Sequence, residues 1–289
     1  MATVGFIGLG VMGYPMAGHL AKKGHEVAVY DVRAERLAQW TAEFGGRRGR
    51  TPGDAAAGAE VVFTCVRNDD DVRRASFGRD GVLAGMTPGN ILVDHTSASA
   101  QVTKELAAAA AAAGIGFLDG PLSGGRVGAE KGALTAMCGG DQAVFDRVRP
   151  LIDCYAQRVT LMGPVGCGQL TKMVSQICNA GILQGLAEAL NFGVRAGLDM
   201  EKVLHVLSKG ASQSWQMDNC GLAMCRGQFD SGFAVDLMRK DLGICLQTGD
   251  EIGARLPVTA LIDQFYAQVQ ARGGGRWSNT SLFHLLAND

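Results

Sequence analysis

The sequence has little net charge, no long uninterrupted apolar segment and no paired cysteine motif. Its 27 Lys and Arg nearly balance 28 Asp and Glu, which leaves a net charge of −1 and no electrostatic signature of nucleic-acid or anionic-membrane binding. No apolar run reaches the ~18 residues of a membrane span without Gly or a charge. The eight Cys form no C-x-x-C pair and the five His are scattered, which argues against a metal site.

What remains is the composition of a globular protein. Hydrophobic residues make up 47% of the chain and charged residues 19%, and a length of 289 residues suits two domains. We expect the first strand to begin near Thr3 with no signal peptide before it. Cysteines without a C-x-x-C pattern and the lack of a recognisable signal peptide favour a reducing, cytoplasmic compartment. We expect small-molecule partners.

The pattern of apolar residues changes partway along the chain. The first half alternates apolar strands with helical stretches, which predicts βαβ units and a parallel sheet; the strands are expected at residues 3–9, 26–31, 60–66, 91–94, 116–119 and 134–138, the last followed by a Gly139-Gly140 turn. Residues 169–196 lack proline and predict a helix of roughly 40 Å. Helical patterns continue beyond it. We therefore predict an α/β domain over residues 1–164 and an all-helical domain over 165–289 that begins with the long helix.

A glycine turn links the first strand to the first helix. It contains Gly8, Gly10, Val11, Met12 and Gly13 in a G-x-G-x-x-G pattern. The first glycine permits a tight turn, the second lets the backbone approach a pyrophosphate, and the third allows close helix–strand packing. The turn predicts a dinucleotide site, and the alternative is a glycine-rich turn in an unrelated α/β protein.

An acidic residue ends the second predicted strand. Asp31 lies 18 residues after Gly13, where a carboxylate accepts hydrogen bonds from ribose hydroxyls and repels the 2′-phosphate of NADP. The alternative is that Asp31 caps the helix that begins near Arg33. We expect NAD, while Arg33 beside the acid leaves NADP open.

Four ordered segments resemble the β-hydroxyacid dehydrogenases, which include 3-hydroxyisobutyrate dehydrogenase and tartronate semialdehyde reductase. They are GFIGLGVMGYPMA at the start, DGPLSGGRVGAEKGALTAMCGG at 119–140, GPVGCGQLTKMVSQ at 163–176 and RKDLGICL at 239–246. The resemblance implies a Rossmann-type domain joined by a long helix to an all-α domain. It also implies site residues: Lys172 as the catalytic lysine, Ser123, Gly124 and Gly125 as the substrate-carboxylate loop, and Val66, Arg67, Thr96 and Lys240 at the cofactor.

Two positions depart from the family pattern. Ser175 and Gln176 stand where members usually carry asparagine, and Arg67 stands where proline is usual, which again leaves room for NADP. Ser175, Gln176 and Asn179 lie three, four and seven residues after Lys172, so one helix face carries all four. We predict that this polar stripe lines the substrate cleft, and the alternative is a solvated stripe on a surface helix.

Together these features predict an NAD(P)-dependent oxidoreductase that transfers hydride between nicotinamide and a short 3-hydroxy acid or its semialdehyde. Lys172 would act as general acid and base, and the protein would be a homodimer or homotetramer. One alternative is an imine reductase of the same architecture, against which Lys172 argues. Another is a non-catalytic dinucleotide-binding module.

Overall fold

The structure is a computed structural model that describes residues 1–230 and 232–287. The chain divides into two compact units, Met1–Lys172 and Met173–Asp289. The first contains a mixed sheet with helices, and the second is helical. No helix among the described residues is long and apolar enough to cross a membrane.

The sheet of the first unit has nine strands in the order β3-β2-β1-β4-β5-β6-β8-β7, with β9 paired to β8. Its strands are β1 Thr3–Ile7, β2 Glu26–Tyr30, β3 Arg47–Arg48, β4 Val61–Thr64, β5 Ile91–Asp94, β6 Gly116–Asp119, β7 Leu122–Ser123, β8 Leu134–Gly140 and β9 Ala156–Gly163. The pairs from β3 through to β6 are parallel, whereas β8 runs antiparallel to β6 and β7. The carboxyl ends of β1, β4, β5 and β6 therefore meet at one edge, where doubly wound sheets bind ligands.

Helices cover both faces of this sheet because its central strands are apolar on both sides. One buried cluster contains Val4 and Phe63, and a second on the opposite face contains Ile7 and Leu92. The helices of this unit are α1 Gly13–Lys22, α2 Ala34–Phe44, α3 Pro52–Ala56, α4 Asp69–Ser76, α5 Val82–Gly85, α6 Ala100–Ala112, α7 Gly125–Lys131 and α8 Gln142–Ile152. The predicted Rossmann-type sheet is thus confirmed.

One local prediction in the first unit was wrong. Gly139 and Gly140 do not form a turn but continue β8, where they pair with Asp119 and Leu118 of β6. A Cβ at Gly139 would lie 2.5 Å from a carboxylate oxygen of Asp119 and 2.9 Å from the backbone nitrogen of Gly168. Glycine within a strand marks such a close approach of another segment, and this approach is not visible in a local pattern.

The long predicted helix is α9, which spans Cys167–Arg195. Beyond it the second unit contains α10 Met200–Leu207, α11 Trp215–Cys225, α12 Val235–Ile252, α13 Pro257–Ala271 and α14 Leu282–Ala287. Short 3-10 turns lie at Gly274–Arg276 and Asn279–Ser281. The core of this unit is one apolar cluster that includes Leu186, Met238 and Tyr266. The prediction that helices replace strands in this part of the chain is confirmed.

Candidate active site

The glycine turn joins β1 to α1 in the arrangement that a pyrophosphate requires. A Cβ at Gly8 would lie 2.3 Å from the carbonyl oxygen of Cys65, and one at Gly13 would lie 1.9 Å from that of Gly8. Gly10, in contrast, faces open space, and a Cβ added there would have nothing within 4 Å. The N–H groups of Val11 and Met12 have no backbone acceptor in the described chain. Free N–H groups beside an open glycine fit a dinucleotide phosphate at this helix N-terminus.

Asp31 follows β2 and is held against the glycine turn. Its carboxylate accepts hydrogen bonds from the backbone N–H of Leu9 at 2.7 Å and of Arg33 at 2.9 Å. The Arg33 guanidinium donates to both carboxylate oxygens, at 2.8 and 3.0 Å. Burial acts to raise the pKa of Asp31, but the hydrogen bonds from Arg33 and Leu9 outweigh it and hold the pKa below its ordinary value. The acid is therefore a buried carboxylate whose outer side is covered by Arg33.

The N-cap alternative for Asp31 is wrong as stated. Helix α2 begins at Ala34 with Arg33 in the N-cap position, and Arg33 makes no side-chain cap bond. Asp31 instead accepts from the Arg33 N–H just before the helix. Arg33 and Arg36 both donate to the carbonyl oxygen of Leu9, so the two arginines brace the same turn that Asp31 holds.

A cavity of about 560 Å³ opens beside the turn and is lined in part by residues of α1. Basic side chains around it are His19, Lys22, Arg33, Arg36 and Arg126, and the acidic ones are Glu43 and Glu130. Several of these cations are already engaged, since Arg36 lies over the ring of Tyr14 and Arg126 pairs with Glu130. The cavity reaches Gly10 and Val11 of the dinucleotide turn and also Arg33, whereas Thr96, Asp119 and Lys172 are not part of its lining.

The loops after β4 and β5 are joined by a hydrogen bond between two predicted cofactor residues. The N–H of Val66 donates to Oγ1 of Thr96 at 3.1 Å. The N–H of Thr96 in turn donates to the buried carboxyl of Asp94, which also accepts from Thr64. Burial raises the pKa of Asp94 to about 6, although hydrogen bonds from Thr64 and Thr96 act to lower it. Thr96 is thereby fixed at the carboxyl end of β5.

Arg67 lies in the same loop as Val66 but points to solvent. Its side chain is 76% exposed and forms an ion pair at 2.8 Å with Asp71 of α4. Asp71 also binds Arg74. The predicted cofactor contact of Arg67 therefore stays a prediction that would require this exposed pair to open.

His95 lies next to Thr96 but is part of the core. It is 3% exposed, its Nδ1 is 2.5 Å from the carbonyl oxygen of Gly120, and its Nε2 is 2.8 Å from the hydroxyl of Tyr155. Burial lowers the pKa of His95 to about 4. With both ring nitrogens engaged, this histidine supports the loop after β6 rather than acting as a base.

The predicted substrate loop follows β7. Gly124 and Gly125 have φ values of 126° and 58°, conformations that favour glycine. Ser123 pairs with Thr135 across the β7–β8 ladder, and α7 begins at Gly125. The N–H groups of Gly124 and Gly125 have no backbone acceptor in the described chain, so a hydroxyl and two amide donors stand in succession.

Lys172 lies in the second turn of α9, and the start of that helix is anchored at the strand ends. The carboxylate of Asp119, at the end of β6, accepts from the backbone N–H of Gly166 at 2.7 Å and of Gln169 at 2.9 Å. Burial raises the pKa of Asp119, and these backbone bonds act to lower it. A Cβ at Gly168 would lie 2.3 Å from the carbonyl oxygen of Met137. This first turn is therefore packed directly on the sheet edge.

The remaining predicted residues lie in the second unit. Gln176 is buried and its Nε2 donates to a carboxylate oxygen of Asp241, while Lys240 contacts the other oxygen at 3.0 Å. Asn179 accepts from Gln216 at 2.8 Å, and Ser175 is half-buried. Gln176 and Lys240 thus share one buried acid, and the sequence reasoning missed the role of Asp241 in holding both.

Sequence reasoning also missed Asp119 and Gln169. Both lie inside the quoted motifs, in DGPLSGG and GCGQLTK, but a motif does not reveal which atoms a side chain contacts. The local pattern indicates only that Asp119 ends a strand. The available signal was a buried acid at a strand end together with an unexplained polar residue three positions before the lysine.

Comparison with known proteins gives matches along almost the whole chain. Residues 3–163 match the family model for the NAD-binding domain of 6-phosphogluconate dehydrogenase, and residues 166–286 match that for the NAD-binding region of NADP-dependent 3-hydroxyisobutyrate dehydrogenase. An oxidoreductase of Shewanella frigidimarina is 58% identical over 99% of this chain and 98% of its own. The 2-hydroxy-3-oxopropionate reductase of Escherichia coli is 34% identical over 98% of this chain and 96% of its own.

Among solved structures, the chain is similar to 3-hydroxyisobutyrate dehydrogenase of Mycobacterium tuberculosis with L-serine. The TM-score is 0.89 at 29% identity, and the match covers 99% of each chain.

Proposed function

Because this chain belongs to the β-hydroxyacid dehydrogenase family, we propose that it interconverts a short 3-hydroxy acid and its semialdehyde with Lys172 as general acid and base. The chain is an NAD(P)-dependent hydroxyacid dehydrogenase, and the proposal concerns its substrate and residue roles. The bound nicotinamide supplies or accepts the hydride at the carbonyl carbon. The protein's own residues must hold the substrate and move one proton at the carbonyl oxygen.

The observation that carries the proposal is the anchoring of the lysine helix. Helix α9 begins where β5 and β6 end, fixed by Asp119, and Lys172 follows one turn after the anchored residue Gln169. Thr96 lies in the loop after the neighbouring strand β5 and accepts a hydrogen bond from the N–H of Val66. A lysine on a rigid helix beside cofactor-binding loops meets the geometric demand on a general acid.

Lys172 would donate a proton to the substrate oxygen as hydride reaches the carbon, and would take that proton back in the oxidation direction. Ser123, Gly124 and Gly125 would bind the substrate carboxylate, because they present one hydroxyl and two N–H groups in succession. Ser175, Gln176 and Asn179 follow Lys172 on the same helix and would contact the rest of the substrate. Gln176 is already bonded to Asp241, which would fix its amide orientation.

At the cofactor, the glycine turn would bind the pyrophosphate through the N–H groups of Val11 and Met12. Asp31 would accept the ribose hydroxyls, which favours NAD over NADP, after Arg33 moves off its carboxylate. Lys240 and Thr96 would contact the nicotinamide half. The Arg33 side chain is 52% accessible, so it can turn into solvent, and the ribose hydroxyls would replace its hydrogen bonds to the Asp31 carboxylate.

The mechanism is tested by Lys172→Ala, followed by NADH absorbance and by NADH titration. We expect kcat to fall by at least ~100-fold, the usual contribution of a positioned acid or base, with NADH affinity close to that of the wild type. Lys104→Ala, an exposed lysine of α6, is the matched control. A kcat of Lys172→Ala close to that of the wild type would contradict the role of Lys172 as general acid and base.

The substrate class is tested with a panel of 3- and 4-hydroxy acids and their semialdehydes, each with NAD and NADP. We expect turnover on short 3-hydroxy acids and higher kcat/KM with NAD. Turnover of a cyclic imine with none of the acids would favour an imine reductase. Cofactor binding without turnover on any of these compounds would favour a non-catalytic module.

We also propose that the protein is a homodimer or homotetramer in a reducing compartment such as the cytoplasm. Helix α9 carries exposed apolar side chains, among them Val174 at 62% and Phe192 at 74% accessibility, which an interface between subunits would bury. The eight cysteines form no C-x-x-C pattern in the sequence, and this usage supports a reducing compartment. The mass in solution by light scattering checks the oligomeric state, and a monomer would contradict it.

A further inference from the structure

Gln169 is a buried polar residue for which the proposed chemistry has no task. Its side chain is 1% exposed. Nε2 donates to the carbonyl oxygen of Thr96 at 2.7 Å, and Oε1 accepts from the N–H of Ala98 at 3.1 Å. A buried amide with both ends satisfied by backbone specifies one arrangement of the segments it joins.

The segment that Gln169 binds is the loop after β5. The hydroxyl of Thr96 accepts a hydrogen bond from the N–H of Val66, and the N–H of Thr96 donates one to the carboxyl of Asp94. The hydroxyl, the N–H and the carbonyl of Thr96 are thus all engaged, the last by Gln169. The position of this loop depends on bonds to β5, to the loop after β4 and to α9.

The helix side of the link is equally fixed. The N–H of Gln169 donates to Asp119, so this residue is tied to β6 by its backbone and to the β5 loop by its side chain. Lys172 is three residues further on, and residues at i and i+3 lie on the same helix face. One residue therefore connects the helix carrying the lysine to the loop carrying Thr96.

We propose that Gln169 is a positioning residue that holds the Lys172 helix and the Thr96 loop in one rigid unit, so that the proton donor and the nicotinamide end of the cofactor keep a fixed relative geometry. This rests on the proposed function of Lys172. A neutral side chain with one donor and one acceptor suits the position, because the carbonyl of Thr96 needs a donor and the N–H of Ala98 needs an acceptor. The glycine turn lies at the other half of the dinucleotide and is untouched by this link.

Two substitutions separate the proposal from a general loss of packing. Gln169→Leu is similar in size and loses both bonds. Gln169→Glu keeps the acceptor for Ala98 at every pH, but it regains the donor for Thr96 only when its carboxyl is protonated. The ionisable groups bonded to the same segments are Asp94, through Thr96, and Asp119, through the Gln169 N–H, and Lys172 lies one turn along. Burial and the two acids favour the protonated form of the new carboxyl.

The measurements are kcat, the KM for cofactor and the pH profile, each as a ratio to the wild type. For Gln169→Leu we expect kcat to fall roughly 10- to 100-fold, since a displacement of about 1 Å costs up to 100-fold, with the KM for cofactor changed less than about threefold. For Gln169→Glu the ratio of kcat to that of the wild type should rise towards one as the pH falls. For Gln169→Leu the same ratio should not change with pH. The control is Gln184→Leu, which removes a half-buried glutamine further along α9 that donates a hydrogen bond to Glu188.

Hydrogen exchange of the cofactor-free protein gives an independent readout. Gln169→Leu removes the acceptor of the Ala98 N–H, so residues 95–102 should exchange faster than in the wild type, while Gln169→Glu should retain protection at Ala98. Wild-type kcat in Gln169→Leu, or equal pH dependence of the two variants, would overturn the inference. Those results are distinct from failure of the proposed function, which appears as full turnover in Lys172→Ala.

Discussion

Gly10 offers the sharpest test of the dinucleotide site, because the structure separates its role from those of the other turn glycines. A Cβ at Gly10 would meet nothing within 4 Å, and Gly10 is not among the glycines with positive φ. Gly10→Ala is therefore compatible with the fold. Reduced freedom of the unfolded chain should even stabilise it by roughly 0.4–1 kcal/mol.

Although Gly10→Ala should stabilise the fold, it should weaken the binding of the cofactor. The new methyl group would occupy the space through which a phosphate reaches the N–H groups of Val11 and Met12. A hydrogen bond to a charged group contributes about 1.5–3 kcal/mol, so loss of one such bond raises the Kd for NADH roughly 10- to 150-fold.

The assay pairs NADH fluorescence titration with thermal unfolding, and Gly13→Ala is the comparison variant in the same turn. Its Cβ would lie 1.9 Å from the carbonyl oxygen of Gly8, so Gly13→Ala should lower stability by about 1–3 kcal/mol, the usual cost of overpacking. Gly10→Ala that is folded and binds NADH as tightly as the wild type would refute the placement of the pyrophosphate at this turn.

Two further predictions concern buried acids. Asp31→Asn should raise the Kd for NADH about tenfold or more and lower the ratio of the NADPH Kd to the NADH Kd, because one charge-assisted ribose contact and the repulsion of the 2′-phosphate are lost. Titration with both cofactors measures this ratio, and Glu35→Gln, which removes an exposed charge, is the control. An unchanged ratio would contradict the prediction. The second prediction concerns stability and pH. The raised pKa of Asp94, about 6 against 3.8, makes stability fall as pH rises through that window, whereas the lowered pKa of His95, about 4 against 6.5, makes stability rise with pH over nearly the same window. The two effects oppose each other in the wild type. In Asp94→Asn only the effect of His95 remains, so the free energy of unfolding should increase by about 3 kcal/mol between pH 4 and 6.5. Urea unfolding across that range measures the change, and a dependence on pH equal to that of the wild type would disprove the prediction.

Features with a local pattern were predictable from the sequence. The turn around Gly10 has its own spacing, and the absence of proline over residues 169–196 predicts a long helix close to the observed Cys167–Arg195. Small elements such as β3 at Arg47–Arg48 and α3 at Pro52–Ala56 were missed, because two to five residues are too few to establish a period. The Gly139-Gly140 turn was wrong for a related reason: glycine signals a turn locally, but here it serves a close approach by Asp119 and Gly168.

The candidate site depended more strongly on contacts between distant segments. Resemblance named Lys172, Thr96 and Lys240, but it did not identify what holds them. Gln169 binds residues 71 and 73 positions away, and the residue numbers of Gln176 and Asp241 differ by 65. A buried polar side chain must find its partner wherever the fold brings one, and such pairs leave no periodic trace.

The sequence by itself determined the alternation of strands and helices, the dinucleotide turn and the family, because these follow from short-range sterics, hydrophobic periodicity and ordered motifs. Only the tertiary structure decided that Arg33 covers Asp31, that Asp119 anchors the start of α9 and that Gln169 ties this helix to Thr96. Those choices satisfy buried donors and acceptors across a sheet edge. Their energies depend on atoms brought within hydrogen-bonding distance by the fold as a whole.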